Sequence, residues 1–196
     1  MKQIRNYLAV LFYVYTIILL CVYTMIITML ILGIDPGTAT TGYGLVESDG
    51  NGTSKVVSWG LIETDKDGFK EKRLEVIYKE MLKVIKTHSP DIFVMEKVFF
   101  ATNAKTAIAV GQAQGVMLLA ASHTKVSVAE YAPATIKKVI TGNGRAKKKE
   151  VQIAIRKLLG NHVKSEKHKK THFDNAADAL AVAMTHAIST KKVPVI

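Results

Sequence analysis

A chain of 196 residues is long enough for one domain with a sizeable core, and its formal net charge of +11 favours an anionic partner, either nucleic acid or an acidic membrane surface. Its single cysteine, Cys21, excludes an internal disulfide and any cysteine-rich metal site, and suits a reducing compartment.

Residues 7–28 carry no charge, and 22 residues in a helix would span about 33 Å, enough for a bilayer core. Lys2 and Arg5 before the run would hold the N-terminus on the cytoplasmic side. A signal peptide would have a shorter apolar region and a small-residue cleavage site, which "YTMIITML" does not offer. The first strand begins at Leu30 with no linker, so one segment cannot serve both bilayer and sheet. The expectation is therefore an extraneous extension over 1–28 with Met29 as the working start, a membrane anchor being the alternative. A domain over 29–190 follows, with a C-terminal tail at 191–196.

From Met29 onward no repeat or low-complexity tract appears. "LILGI" (30–34) reads as a short buried strand, with "TGYGLVES" and "SKVVSWGLIET" as two more. The Asp-Gly and Asn-Gly pairs of "SDGNGTS" between the last two suit a hairpin. Over 70–87, Leu74, Ile77, Met81 and Ile85 share one face of an amphipathic helix that Ser89-Pro90 ends. "DIFVMEKV" is a fourth, buried strand ending at Glu96, and Ala-rich residues 104–121 are helical. Gly111 and Gly115, on one face of that helix, mark a close contact or are simply tolerated. "VSVAEYAP" supplies a fifth strand, and Pro133 opens a short helix through Ile140. "TGNGRAKKK" reads as a mobile loop before a helix over 148–159, and the last helix starts near Asp174, a good N-cap type. Three strands, a helix, then alternating strands and helices predict an α/β domain with a mixed sheet flanked by helices.

Positive charge concentrates in the second half. Residues 137–170 hold 12 of the 27 Lys and Arg but only two acids, Glu150 and Glu166. That imbalance points to a phosphate-binding surface rather than a solvated face of mixed sign. Arg145, Lys147, Lys148 and Lys149 would track phosphates there. Asp35 and Glu96 each end a strand, and Asp174 and Asp178 lie four apart on the last helix, hence on one face, with Asn175 on its flank. Singly, each has a plain structural reading as turn, strand end, cap or surface charge. Asp178, however, precedes the apolar run Ala179-Leu180-Ala181-Val182-Ala183, so its carboxylate faces the domain. Carboxylates gathered there repel one another and are costly to ionise. A divalent cation resolves that cost, and an all-oxygen donor set suits Mg²⁺ or Mn²⁺ rather than zinc. Two such ions activate water and stabilise the leaving oxygen of a phosphodiester. His123, His168, His172 and His186 form no metal-ligand spacing, and Trp59 and Tyr43 read as core or strand residues.

Four segments, "ILGIDPGTATTGYG", "MEKVFFATNAKTAIAVGQAQG", "YAPATIKK" and "DNAADALAVAMTH", together resemble the RuvC family of Holliday-junction resolvases, in the right order from Met29 to about Ile188. The resemblance implies an RNase H-like mixed five-stranded sheet flanked by helices and a homodimer in the cytoplasm. It further implies paired Mg²⁺-dependent nicks (Mn²⁺ as substitute, two ions per site) across a four-way DNA junction in recombination and repair, with a branch-migration motor complex as partner. By position, Asp35, Glu96 and Asp178 match three family catalytic acids, Phe99 matches an aromatic wedged into the junction, and Lys137 and Lys148 match DNA-contacting lysines. Family chains start just before the "ILGIDPG" strand, in keeping with Met29. The chain departs from the pattern at one point: the fourth family acid falls at Asn175, and the adjacent Asp174 is the favoured substitute. That departure leaves a junction-binding protein with impaired catalysis as the alternative. A phosphate-binding hairpin of a sugar-kinase or actin-like ATPase also resembles "GIDPGTATTGYG", but such proteins have a second phosphate loop and a much longer chain.

Overall fold

The computed structural model describes residues 12–16, 28–97, 104–160 and 170–191, with the side chains of 170–175 outside the description. Residues 12–16 are helical and exposed, and among the described residues no helix is long and apolar enough to cross a membrane. The rest of the N-terminal apolar run lies outside the described residues.

Five strands, β1 (Met29–Asp35), β2 (Thr40–Ser48), β3 (Ser54–Glu63), β4 (Ile92–Glu96) and β5 (Ser127–Tyr131), form one sheet in the order β3-β2-β1-β4-β5. The first three pair antiparallel, while β4 and β5 join β1 in parallel. Helices α1 (Lys70–His88) and α2 (Ala104–His123) cover one face, and α3 (Pro133–Thr141), α4 (Lys148–Leu159) and α5 (Lys170–Ser189) cover the other. This is the expected mixed α/β sheet. The β2–β3 hairpin closes as its sequence predicts: Asp49 Oδ1 accepts the N–H groups of Asn51, Gly52 and Thr53, while Gly50 and Gly52 take positive φ.

Two expectations are corrected. Helix α5 begins at Lys170, so Asp174 lies inside it rather than capping it. Nothing in Lys170–Phe173 is a helix breaker, and the helix propagates back through them. The "TGNGRAKKK" stretch is a tied turn rather than a mobile loop: Gly142 is the left-handed cap of α3, its N–H bonding to the Lys138 carbonyl, and Asn143 Oδ1 accepts the Arg145 N–H. Buried Ala146 anchors that turn, and Lys148 and Lys149 belong to the first turn of α4, whose start is closed by the Lys147 N–H donating to the Glu150 carboxylate at 2.6 Å.

Alternation along β1 decides where the site forms. Leu32 and Ile34 join the core under α1 and α2, whereas Ile31 joins the core under α5. With side chains alternating along a strand, Gly33 and Asp35 share the Ile31 face. On β4 the same rule sets Val94 and Glu96 on the α5 side and Phe93 and Met95 on the other. Gly33 is paired with Gly44 of β2, and together they clear a strip of bare backbone on the sheet. Helix α5 sits on that strip: a Cβ at Gly33 would lie 2.3 Å from the Ala179 carbonyl oxygen, and one at Gly44 would lie 2.7 Å from Leu180. Gly111 and Gly115, by contrast, meet no described atom within 4 Å.

Candidate active site

Asp35 and Glu96 end adjacent parallel strands, one residue beyond the Ile34–Met95 register pair, so their side chains emerge together at the same edge of the sheet. Because α5 is seated on Gly33 at Ala179, the preceding residue, Asp178, is delivered to that edge. The three carboxylates line one cleft of about 230 Å³, with Lys137 of α3 and Lys148 of α4 on its walls and Ile136, Val151 and Val182 among its apolar lining. The cleft unites residues 35, 96, 137, 148 and 178, five of the positions singled out in the sequence.

Charge in the cleft is unbalanced towards acid. Burial, then the neighbouring charges of Asp178 and Glu96, push the Asp35 carboxyl up to about 7 against the opposing pull of Lys148. Glu96 is raised for the same reasons, burial first and Asp178 second, while Lys137 and Lys148 oppose. The Lys148 ammonium pairs with Asp178 at 2.5 Å and supplies part of the missing positive charge. Among the described residues no three acids or histidines close tightly enough to hold a metal ion by themselves. Asp35, Glu96 and Asp178 share a cleft, one of them is turned to a lysine, and the side chains of Asp174 and Asn175, the other two positions of the expected donor set, lie outside the described residues.

Sequence reasoning missed the supports behind the acids. Gln114, buried on α2, donates from Nε2 to the Glu96 carbonyl at 2.7 Å and holds the end of β4 from the far side of the sheet. Tyr131, in register with Glu96, bonds through its hydroxyl to His186 Nδ1 at 3.0 Å. A polar Gln in the Ala-rich stretch of α2 was the available signal for the first. His186 is buried, and that burial holds its imidazole below the ordinary range. His123 is tied to the Tyr78 hydroxyl at 2.5 Å, and Trp59 and Tyr43 pack against the two cores. Arg145, Lys147 and Lys149 are exposed beside Lys148, outside the cleft lining. Phe99 lies outside the described residues, as do the side chains of Asp174, Asn175 and His172, and all of His168.

A five-stranded mixed sheet with acids at the ends of its adjacent central strands and a third on a covering helix defines an RNase H-like fold. The chain matches the family model described as crossover junction endodeoxyribonuclease RuvC over residues 31–186. It is 44% identical over 165 residues to the enzyme of that name from Caldicellulosiruptor saccharolyticus, covering 84% of this chain and 96% of the relative. It is 47% identical over 163 residues to that of Thermotoga petrophila, covering 83% and 94%. The Thermus thermophilus RuvC structure in complex with a Holliday junction substrate superposes with a TM-score of 0.73 at 31% identity, covering 83% of this chain and 95% of that one. The yeast mitochondrial Holliday junction resolvase Ydc2 shares the fold, with a TM-score of 0.63 at 13% identity. This chain belongs to the RuvC family of crossover junction endodeoxyribonucleases.

Proposed function

We propose that this chain is a structure-selective endonuclease that resolves four-way DNA junctions by paired, divalent-cation-dependent phosphodiester hydrolysis. The observation that carries the reading is the cleft holding Asp35, Glu96 and Asp178, in which burial and mutual repulsion raise both strand-end acids. Such a cleft fits Mg²⁺, which is usually bound through one or two carboxylates together with substrate phosphates rather than by a complete protein cage. Asp35 and Glu96 would hold it, with Asp178, released from Lys148, and Asp174 or Asn175 completing the donor set. Bound there, the ion supplies charge stabilisation and a reactive water for attack on phosphorus. Lys148, freed from Asp178, and Lys137 would then face the phosphate, and the exposed Arg145, Lys147 and Lys149 would follow the strand away from the cleft.

The homodimer belongs to the same reading. Leu119 of α2 is 47% exposed. Gly111 and Gly115, on the turns before it, add no side chain, an arrangement that lets a second helix approach closely. The nuclease unit we assign is 29–190, which contains the family match at 31–186, with residues 1–28 assigned as an extension outside it.

Asp35→Asn and Glu96→Gln variants of the full chain test the reading on a synthetic four-way junction. Nicking should fall by about a thousandfold or more, the loss of roughly 4 kcal/mol of transition-state stabilisation. Junction binding should persist, because it rests on the basic surface. Wild-type nicking by Asp35→Asn would refute the site.

A further inference from the structure

A second cleft, of about 280 Å³, opens on the opposite face of the sheet between the first turns of α1 and α2. Leu74, Ile77, Ile108 and Ala109 form its walls, and Lys70, Arg73 and Lys105 bring three cations to it. Among the described residues no acidic one lines it, although Glu71 and Glu75 belong to α1. Thr38 also reaches it, from the turn that follows Asp35, so the two clefts share one edge of the sheet and are separated by a single turn. That turn is tied to the second cleft by a relay: Arg73 Nε donates to Thr64 Oγ1 at 3.1 Å, and the Thr64 hydroxyl donates to the Thr38 carbonyl at 2.6 Å.

We propose that this cationic cleft seats the backbone of a second junction strand, one phosphate and its adjoining sugar, while the scissile strand lies in the acid cleft. The assignment rests on the junction-nuclease reading above and adds a contact to it. Charge complementarity selects an anion, since three cations gather with no carboxylate among the described lining residues. The aliphatic walls select against a bare inorganic anion, which would satisfy the cations and leave the walls unused, whereas a nucleotide brings a sugar with apolar C–H faces beside its phosphate. The size selects against an acidic peptide: the volume lies just below the roughly 300–1,000 Å³ of ordinary small-molecule pockets and admits one such unit rather than a run of side chains. Position selects DNA, because a strand crossing this edge of the sheet passes both clefts. Through the Arg73–Thr64–Thr38 relay, occupancy of the cationic cleft bears on the turn directly behind Asp35.

The test is a full-chain Lys70→Gln/Lys105→Gln double variant, compared with wild type in four-way-junction binding across a salt series, in nicking kinetics with Mg²⁺ and in sedimentation. Each lost phosphate contact removes about 0.9 from the slope of log affinity against log salt, so the slope should flatten by up to about two. Between 50 and 200 mM salt the variant should therefore lose about tenfold less affinity than wild type. KM for the junction should rise while kcat at saturating DNA and the dimer are retained. An unchanged slope and KM, with wild type still nicking junctions, would overturn this inference and leave the nuclease reading intact. Loss of the dimer with an unchanged slope would assign the cleft to a second copy of the chain and also overturn it. Failure of wild type itself to bind or nick junctions would strike the parent reading instead.

Discussion

The two faces of the sheet are built from the same strands and solve different problems. Under α1 and α2, Leu32, Ile34, Phe93 and Met95 meet Ile77, Met81 and Met117, all fully buried, and the face is closed by interlocking side chains. Under α5, β1 and its neighbour β2 present Gly33 and Gly44, and there the helix rests on backbone. Bare backbone gives α5 one admissible depth and register, and that register is what brings Asp178 to Asp35 and Glu96. The first face serves stability. The second converts strand geometry into a cluster of carboxylates that burial alone would disfavour.

The largest expected effect breaks that contrast directly. Gly33→Val places its Cβ 2.3 Å from a backbone oxygen and 2.5 Å from the Ala183 nitrogen, neither of which can rotate away. We expect a destabilisation of at least about 3 kcal/mol, above the ordinary overpacking cost, together with loss of nicking by whatever protein remains folded. Leu32→Ala on the other face should cost about 2–5 kcal/mol in denaturant unfolding yet leave nicking per folded molecule near wild type. Equal activity losses in the two variants, normalised to folded protein, would erase the distinction between the faces.

An intermediate effect concerns the fourth donor. Asp174 and Asn175 both lie in the second turn of α5, four and three residues before Asp178. Asp174→Ala should depress Mg²⁺-dependent nicking more than Asn175→Ala, because only the former removes a charge from the cation's surroundings. The reverse order would give the role to the amide.

The smallest effect sharpens the electrostatic side. Asp35 titrates near 7 in the folded chain against 3.8 when unperturbed, so between those values the native state holds a proton that the unfolded state has released. Stability therefore falls as pH rises through this window, and is greatest towards its acid end. With divalent cations chelated, the melting temperature should decline from about pH 5 to about pH 8, and Asp35→Asn should flatten the decline. A melting temperature that rises with pH in wild type and is unaffected by the substitution would contradict the assignment of the shift.

Much of this molecule was legible in its residues because local and global preferences agree. The hairpin turn announced itself through Asp49 and the two glycines after it, and α4 spans 148–159 as expected from the sequence. The strand-end acids were legible because a carboxylate after four apolar residues has no role in a core. The start of α5 was misread because Asp174 is a good cap by type, and nothing local says that Lys170–Phe173 is already helical. The seat of α5 was not legible either. Gly33 and Gly44 are eleven residues apart in the chain and acquire meaning only when antiparallel pairing sets them side by side. Gly111 and Gly115, which do show a helical spacing, meet no described atom. The Lys148–Asp178 pair joins the first residue of α4 to the middle of α5 and has no signature in spacing.

The central claim is that the cleft of Asp35, Glu96 and Asp178 cuts four-way DNA junctions with a divalent cation. The most direct measurement is nicking of a strand-labelled synthetic four-way junction by the full chain, with Mg²⁺ titrated from chelated to millimolar concentration and a linear duplex of the same sequence in parallel. We predict no nicking in chelator, nicks at symmetric positions in two strands of the junction as Mg²⁺ is added, and little or none on the duplex. Nicking that persists in chelator, or that treats the duplex and the junction alike, would contradict the account.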